Sequence, residues 1–195
     1  MTSISPLTNV LKKGLFGDCK DKDEANLIKI QEEKNLLVSQ IVQYKNSSLQ
    51  IDDIIIDGLS MSNDTLKVVS NNDTRILWNG PKNWLLISKK KNLNENIKKI
   101  FIESDFAVTD LSHSRAIIGL EGENLKEVLK KGCPYNFNEI KKDMCVNSVF
   151  NGITITIDMI EENPEKIRLL ALRSFGESLS DSITDACLEY GYKSI

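Results

Sequence analysis

Apolar and polar positions repeat with two different periods along this chain, and the switches between them mark out elements. Ile153, Ile155, Ile157 and Met159 alternate with Thr154, Thr156 and Asp158, which predicts a strand buried on one face. Residues 161–165 (EENPE) supply a turn, and residues 167–172 return as the hairpin partner. Phe175, Leu179, Ile183, Ala186, Cys187 and Tyr190 then fall at helical spacing, one apolar stripe stopped by Gly191. Upstream, residues 106–111 and 115–120 are apolar runs around a polar corner, Ser112-His113-Ser114. Leu125, Val128 and Leu129 carry the spacing of a buried helix face, and Gly132 and Pro134 end it.

The first half is patterned less sharply. Residues 25–31 and 37–44 read as strands. Ser47 or Ser48 is placed to cap a helix with Ile51, Ile54, Ile55 and Leu59 on its buried face, ending at Asp57-Gly58 near Ser60. Residues 66–69 and 75–78 predict strands joined by an Asn71-Asn72-Asp73 turn. Gly80-Pro81 turns the chain between Trp78 and Trp84, and residues 85–88 leave as a strand. Asn92 is the expected cap of a helix built on Leu93, Ile97, Ile100 and Phe101, and residues 135–146 read as loop.

The resulting order predicts an α+β fold of mostly antiparallel sheets with packed helices, in two related lobes of split βαβ or ferredoxin-like type. The lobes fall at about residues 25–105 and 106–195. A faint echo pairs residues 75–93 with 115–125, each running strand, glycine turn, then helix. Residues 1–24 form an N-terminal arm. Its apolar residues, Leu7, Val10, Leu11, Leu15 and Phe16, exceed what a solvated tail needs, so it is expected to dock, chiefly on a partner chain.

Composition narrows the function classes. The 195 residues carry a net charge of −3 with 41% hydrophobic and 27% charged residues, an ordinary globular balance. Acids interleave the short lysine runs, which argues against nucleic acid as a partner. The N-terminus lacks an apolar signal core, and no run is long enough to span a membrane, so the expected location is cytoplasmic. The four cysteines, Cys19, Cys133, Cys145 and Cys187, form no C-x-x-C pair, and there is one histidine, which predicts no metal site.

The chemistry on offer is sparse, and no catalytic set emerges. His113 has Asp110, Ser112 and Ser114 close in sequence, but a catalytic triad is defined by geometry rather than adjacency, so a hydrogen-bonded corner histidine is the first reading. Asp110 and Arg115 read as a structural pair or strand-end cap before a substrate clamp. Cys133 follows a helix C-terminus, whose dipole disfavours a thiolate. Trp78 and Trp84 serve as core, as interface anchors or as stacking partners for a pterin or flavin.

Four stretches in order carry a resemblance: Gly80-Pro81-x-x-Trp84-Leu85, then TDLSHSR from Thr109 to Arg115, then Lys131-Gly132-Cys133-Pro134, then Arg173-Ser174-Phe175-Gly176-Glu177-Ser178. Together they resemble the gamma subunit of heterotetrameric sarcosine oxidase, over nearly the whole chain. Gly176 stands where the family has alanine. The resemblance implies a non-catalytic subunit that supports assembly with alpha, beta and delta chains, chiefly alpha. The bacterial complex it implies oxidises sarcosine to glycine. It passes the methyl carbon to tetrahydrofolate or releases it as formaldehyde, and forms hydrogen peroxide. FAD, FMN, NAD, zinc and tetrahydrofolate would belong to other chains, with no cofactor on this one. The implied fold resembles the folate-binding fold of aminomethyltransferases. The alternatives are a free-standing folate-binding enzyme of that type and a folate-dependent maturation factor. Pro134-Tyr135 follows Cys133 without the Gly-Gln of the maturation factors, which argues against a folate or cluster role for that cysteine. The residues singled out for interface or structural roles are Leu7, Leu11, Trp78, Trp84, Asp110, His113, Arg115, Arg173 and Glu177.

Overall fold

A computed structural model describes residues 5–20 and 22–195. In chain order the strands of the first half are β1 (Gly14–Phe16), β2 (Ile28–Glu32), β3 (Leu37–Gln43), β4 (Ile55–Ile56), β5 (Leu59–Ser60), β6 (Val68–Ser70), β7 (Thr74–Gly80) and β8 (Asn83–Ser88). Then follow α1 (Leu93–Ile100), β9 (Phe106–Asp110), β10 (Arg115–Gly122), α2 (Leu125–Lys130), β11 (Met144–Phe150), β12 (Ile153–Glu162), β13 (Glu165–Leu172), α3 (Gly176–Cys187) and β14 (Tyr192–Ser194). The fold is α+β, and its sheets are mostly antiparallel.

The chain divides into two compact units that interleave in sequence. Unit 1 comprises Met1–Lys34, Ser114–Lys142 and Val146–Ile195; unit 2 comprises Asn35–His113 and Asp143–Cys145. The expected lobes at residues 25–105 and 106–195 differ from this division, because β2 is taken into the sheet of the second half.

Unit 1 is built on the sheet β1-β14-β2-β10-β13-β12-β11. Strand β10 runs antiparallel to both β2 and β13, and β14 runs parallel to β2. It follows that β13 and β14 are parallel, joined by α3 across the two strands between them. This is a split βαβ crossover. Helices α2 and α3 pack on β10 and β13. Their stripes Leu125, Val128 and Leu129, and Leu179, Ile183 and Cys187, are fully buried, as the helical spacing demands.

Unit 2 repeats the plan with fewer strands, in the order β6-β7-β8-β3-β9. Strand β3 is antiparallel to both β8 and β9, so β8 and β9 are parallel and joined by α1, with β3 between them. Hairpin, helix and last strand thus recur as β7-β8-α1-β9 and β12-β13-α3-β14. The two lobes are related, but the sequence echo at 75–93 and 115–125 pairs the wrong strands: the counterpart of β7 is β12, and that of β10 is β3. A core of Leu37, Ile41, Ile56, Ile76, Trp84, Leu86, Ile97 and Phe106 fills unit 2.

Three local expectations change. The helix expected over residues 47–60 is a single 3₁₀ turn, Ile51–Asp53, followed by the hairpin β4–β5. Asp57 and Gly58 take positive φ at the hairpin tip, which a helix cannot contain. Ile55, expected on a buried face, is 61% exposed. The hairpin is fastened by Asp57, whose carboxylate accepts from Thr74 Oγ1 (2.6 Å) and Lys90 Nζ (2.8 Å). The apolar residues of 51–59 fit either period, and the Asp-Gly pair decided for the hairpin.

Phe175 and Tyr190 lie outside α3, and Phe175 is 47% exposed. The stretch 135–146 is irregular only as far as Met144, where β11 begins.

The N-terminal arm is the largest correction. Residues 1–4 lie outside the described residues, but Leu7 is buried at 1% exposure, and β1 forms the edge of the unit 1 sheet. Phe16 stacks on Tyr192 with ring centroids 5.2 Å apart. Leu11 is half-buried and Leu15 exposed. Leu7 is thus covered by its own unit, Val10, Leu11 and Phe16 are half-covered, and Leu15 is left open.

Candidate functional site

The four motifs offer the candidate site, and each turns out to hold backbone in place. In the corner after β9, Asp110 Oδ1 accepts the Ser112 amide (2.9 Å), and Ser112 Oγ accepts the Val38 amide (3.0 Å). This is a side-chain-fastened turn of the kind Asp and Ser favour. Burial works against the Asp110 anion, but hydrogen bonds from Ser112 and the nearby His113 and Lys98 hold its carboxyl below the usual range. His113 is exposed at the tip. Arg115 opens β10 in unit 1, and no ion pair joins it to Asp110 among the described residues. Of the two structural roles expected, the ion pair is not formed, and Asp110 instead caps the end of β9.

In the Gly80-Pro81 hairpin, Trp78 and Trp84 face each other across β7 and β8. Trp84 is 1% exposed and donates its indole N–H to Ser62 O (2.8 Å). It is a core residue of unit 2, with no open face for a planar ligand. Trp78 is half-buried.

The third and fourth motifs meet in unit 1. Lys131 reaches from the end of α2 to the end of α3. Its Nζ donates to Ala186 O (2.7 Å), pairs with Glu189 (2.7 Å) and sits 4.9 Å from the Tyr190 ring centroid. A cation at a helix C-terminus is favoured by its unsatisfied carbonyls and dipole. Gly132 is required by close packing: a Cβ there would lie 2.6 Å from Asn151 Oδ1 and 2.9 Å from the Phe150 ring. The Cys133 thiol is buried and lies 3.2 Å from Ser148 Oγ. Burial pushes the Cys187 thiol up to about 12, although the Lys131 charge opposes it.

Gly176 begins α3 against the N-terminal segment. A Cβ there would meet Ala116 Cβ at 2.9 Å, and Leu7 and Pro6 at 3.3 Å. This gives a local reason for glycine at this position. Arg173 is half-buried, its amide donating to Ser114 O (2.9 Å), and Glu177 is exposed in the first turn of α3.

Sequence reasoning missed one polar centre in unit 1. Arg168 bridges Glu33 (Nη2 to Oε2, 2.6 Å) and Asp158 (Nη1 to Oδ2, 3.3 Å), and Asp158 is fully buried. The alternation around Asp158 marks it as the solvent side of a strand. Only knowledge of what covers that face would have revealed the cluster. Among the described residues, no group of three His, Cys, Asp or Glu side chains is placed to hold a metal, and no helix is long and apolar enough to cross a membrane.

The chain is an α+β protein of two units interleaved in sequence, with several of its motif residues set in turns, helix ends and close packing. Residues 55–189 match the model of the sarcosine oxidase, gamma subunit family, and the chain belongs to that family. No curated protein sequence matches it. Among solved structures it is similar to a chain of the heterotetrameric sarcosine oxidase from Corynebacterium sp. U-96 in complex with pyrrole 2-carboxylate. The TM-score there is 0.79 at 19% identity, over 96% of this chain and 95% of that one. It is also similar to the glycine cleavage system aminomethyltransferase T from Bartonella henselae, with a TM-score of 0.64 at 9% identity over 88% of this chain and 48% of that one. At these identities the likenesses are of fold, and the expected kinship with the aminomethyltransferase fold holds at that level.

Proposed function

We propose that this chain works as the non-catalytic gamma subunit of a heterotetrameric sarcosine oxidase, assembling with alpha, beta and delta chains, chiefly alpha, in the cytoplasm. The observation that carries the reading is that the residues marking the family are spent on the scaffold: Ser112 fastens a turn, Trp84 fills a core, Lys131 caps a helix, and Gly132 and Gly176 permit close contacts. The complex would demethylate sarcosine oxidatively to glycine, with the methyl carbon passing to tetrahydrofolate or leaving as formaldehyde, and with hydrogen peroxide formed. Flavins, NAD, zinc and tetrahydrofolate would be held by the other chains.

The test is co-expression with the other three subunits and, separately, purification alone. The isolated chain should be colourless and inactive on sarcosine, and it should co-purify in one-to-one ratio with the flavin-bearing chains. Sarcosine turnover or bound flavin in the isolated chain would overturn the reading, as would a complete complex that forms without it.

A further inference from the structure

Arg115 is a motif residue whose backbone serves the β10–β13 pairing and whose guanidinium the fold leaves half-buried. It lies across from Leu172 in the β10–β13 register. Its neighbour Ala116 faces Gly176 of α3, so by strand alternation Arg115 and Leu172 project from the opposite face of the unit 1 sheet. Arg115 is half-buried, and no acceptor among the described residues pairs with its guanidinium. Burial alone acts on it, holding its pKa below the ordinary value. A guanidinium keeps its charge and carries five donors, and partial desolvation without a partner is unfavourable.

Leu172, on the same face by register, is 48% exposed, and Phe175, 47% exposed, follows three residues later in the turn that leads to α3. They are not on a loose loop. The 3₁₀ turn Arg173–Phe175 continues β13, and the Arg173 amide donates to Ser114 O (2.9 Å), the residue just before Arg115. An arginine with an aromatic and an aliphatic neighbour on rigid backbone is the composition of interface centres.

We infer that this end of the unit 1 sheet is the docking surface for a segment of another subunit, one that presents an Asp or Glu carboxylate to Arg115 between apolar side chains covering Leu172 and Phe175. The inference rests on the gamma-subunit reading above. A free small carboxylate would satisfy Arg115 but leave Leu172 and Phe175 in water, which favours a protein segment.

The test uses the full chain co-expressed with its partner subunits, as wild type and as Arg115→Gln, Arg115→Lys and Phe175→Ser. In the isolated chain, Arg115→Gln should keep or raise the melting temperature, since it removes an unpaired, partly desolvated charge. Its affinity for the rest of the complex should fall by about 30-fold or more, as for a truncated buried charge pair. Arg115→Lys should restore part of that affinity, and Phe175→Ser should weaken assembly by about tenfold. Unchanged assembly of Arg115→Gln overturns the docking surface while leaving the subunit reading intact. A melting temperature that falls in step with assembly overturns it too, by making Arg115 structural. Saturable binding of acetate to the isolated chain, abolished in Arg115→Gln, would reassign the site to a small carboxylate. A wild-type chain that joins no complex removes the subunit reading and this surface with it.

Discussion

Gly176 shows how a single position is decided by its neighbours. An alanine there gains helix propensity, but its Cβ would stand 2.9 Å from Ala116 Cβ, inside the packed layer between β10 and α3. Overpacking of this kind costs about 1–3 kcal/mol, more than the propensity gain of about 1 kcal/mol. Gly176→Ala is expected to lower the urea midpoint, and Ala116→Gly, destabilising alone, should recover part of the loss in the double variant. Additive effects would mean that the two positions do not touch. Asp57 gives a pH-dependent case. Hydrogen bonds from Lys90 and Thr74 hold its carboxyl below its ordinary value, against burial. Its contribution is therefore complete above the unfolded-state pKa and is lost as pH falls through the lower folded value. Asp57→Asn should flatten the acid limb of the stability profile below about pH 4, near the reference value for aspartate; an unchanged limb would show that the hairpin tip is not fastened in solution.

At the scale of elements, legibility followed the strength of the period. The strand at β12, the hairpin to β13 and the α3 stripe could be read because a single period runs through each and one face is buried. The segment at 51–60 could not, since its isoleucines satisfy a helical stripe and its Asp-Gly turn then overrides them. The polar centre of Arg168, Glu33 and Asp158 was illegible because its members are scattered across three strands or their ends. The N-terminal segment was misjudged for a related reason. Its apolar residues have no period of their own, and their burial depends on α3 and β14, far along the chain. Leu7 is the test. At 1% exposure, Leu7→Ala should cost about 2–5 kcal/mol in the isolated chain, read from urea unfolding. A loss under about 0.5 kcal/mol, the ordinary range for surface changes, would return this segment to the role of a free arm.

At the scale of the whole molecule, the two units share one plan but neither is a continuous piece of chain. Strand β2 lies between β10 and β14, so residues 106–195 lack the strand that joins β14 to the rest of their sheet. Expressed alone, that fragment should show no cooperative thermal transition and poor amide dispersion in NMR spectra. A well-dispersed, cooperatively unfolding fragment would contradict the sheet order. The family match covers residues 55–189, and the early strands β1 and β2 fall outside it although the sheet depends on them.

The pairing of β1 with β14 also sets a schedule for synthesis. Strand β1, the earliest of the described strands in chain order, hydrogen-bonds to β14, the latest of them, with Gly14 opposite Ser194. At about 5–20 residues per second, β1 waits roughly 10–35 seconds for its partner. During that interval β2 also stands open until β10 emerges, so a strand with unpaired edges is presented to solvent. The sheet closes only when Tyr192–Ser194 leaves the exit tunnel.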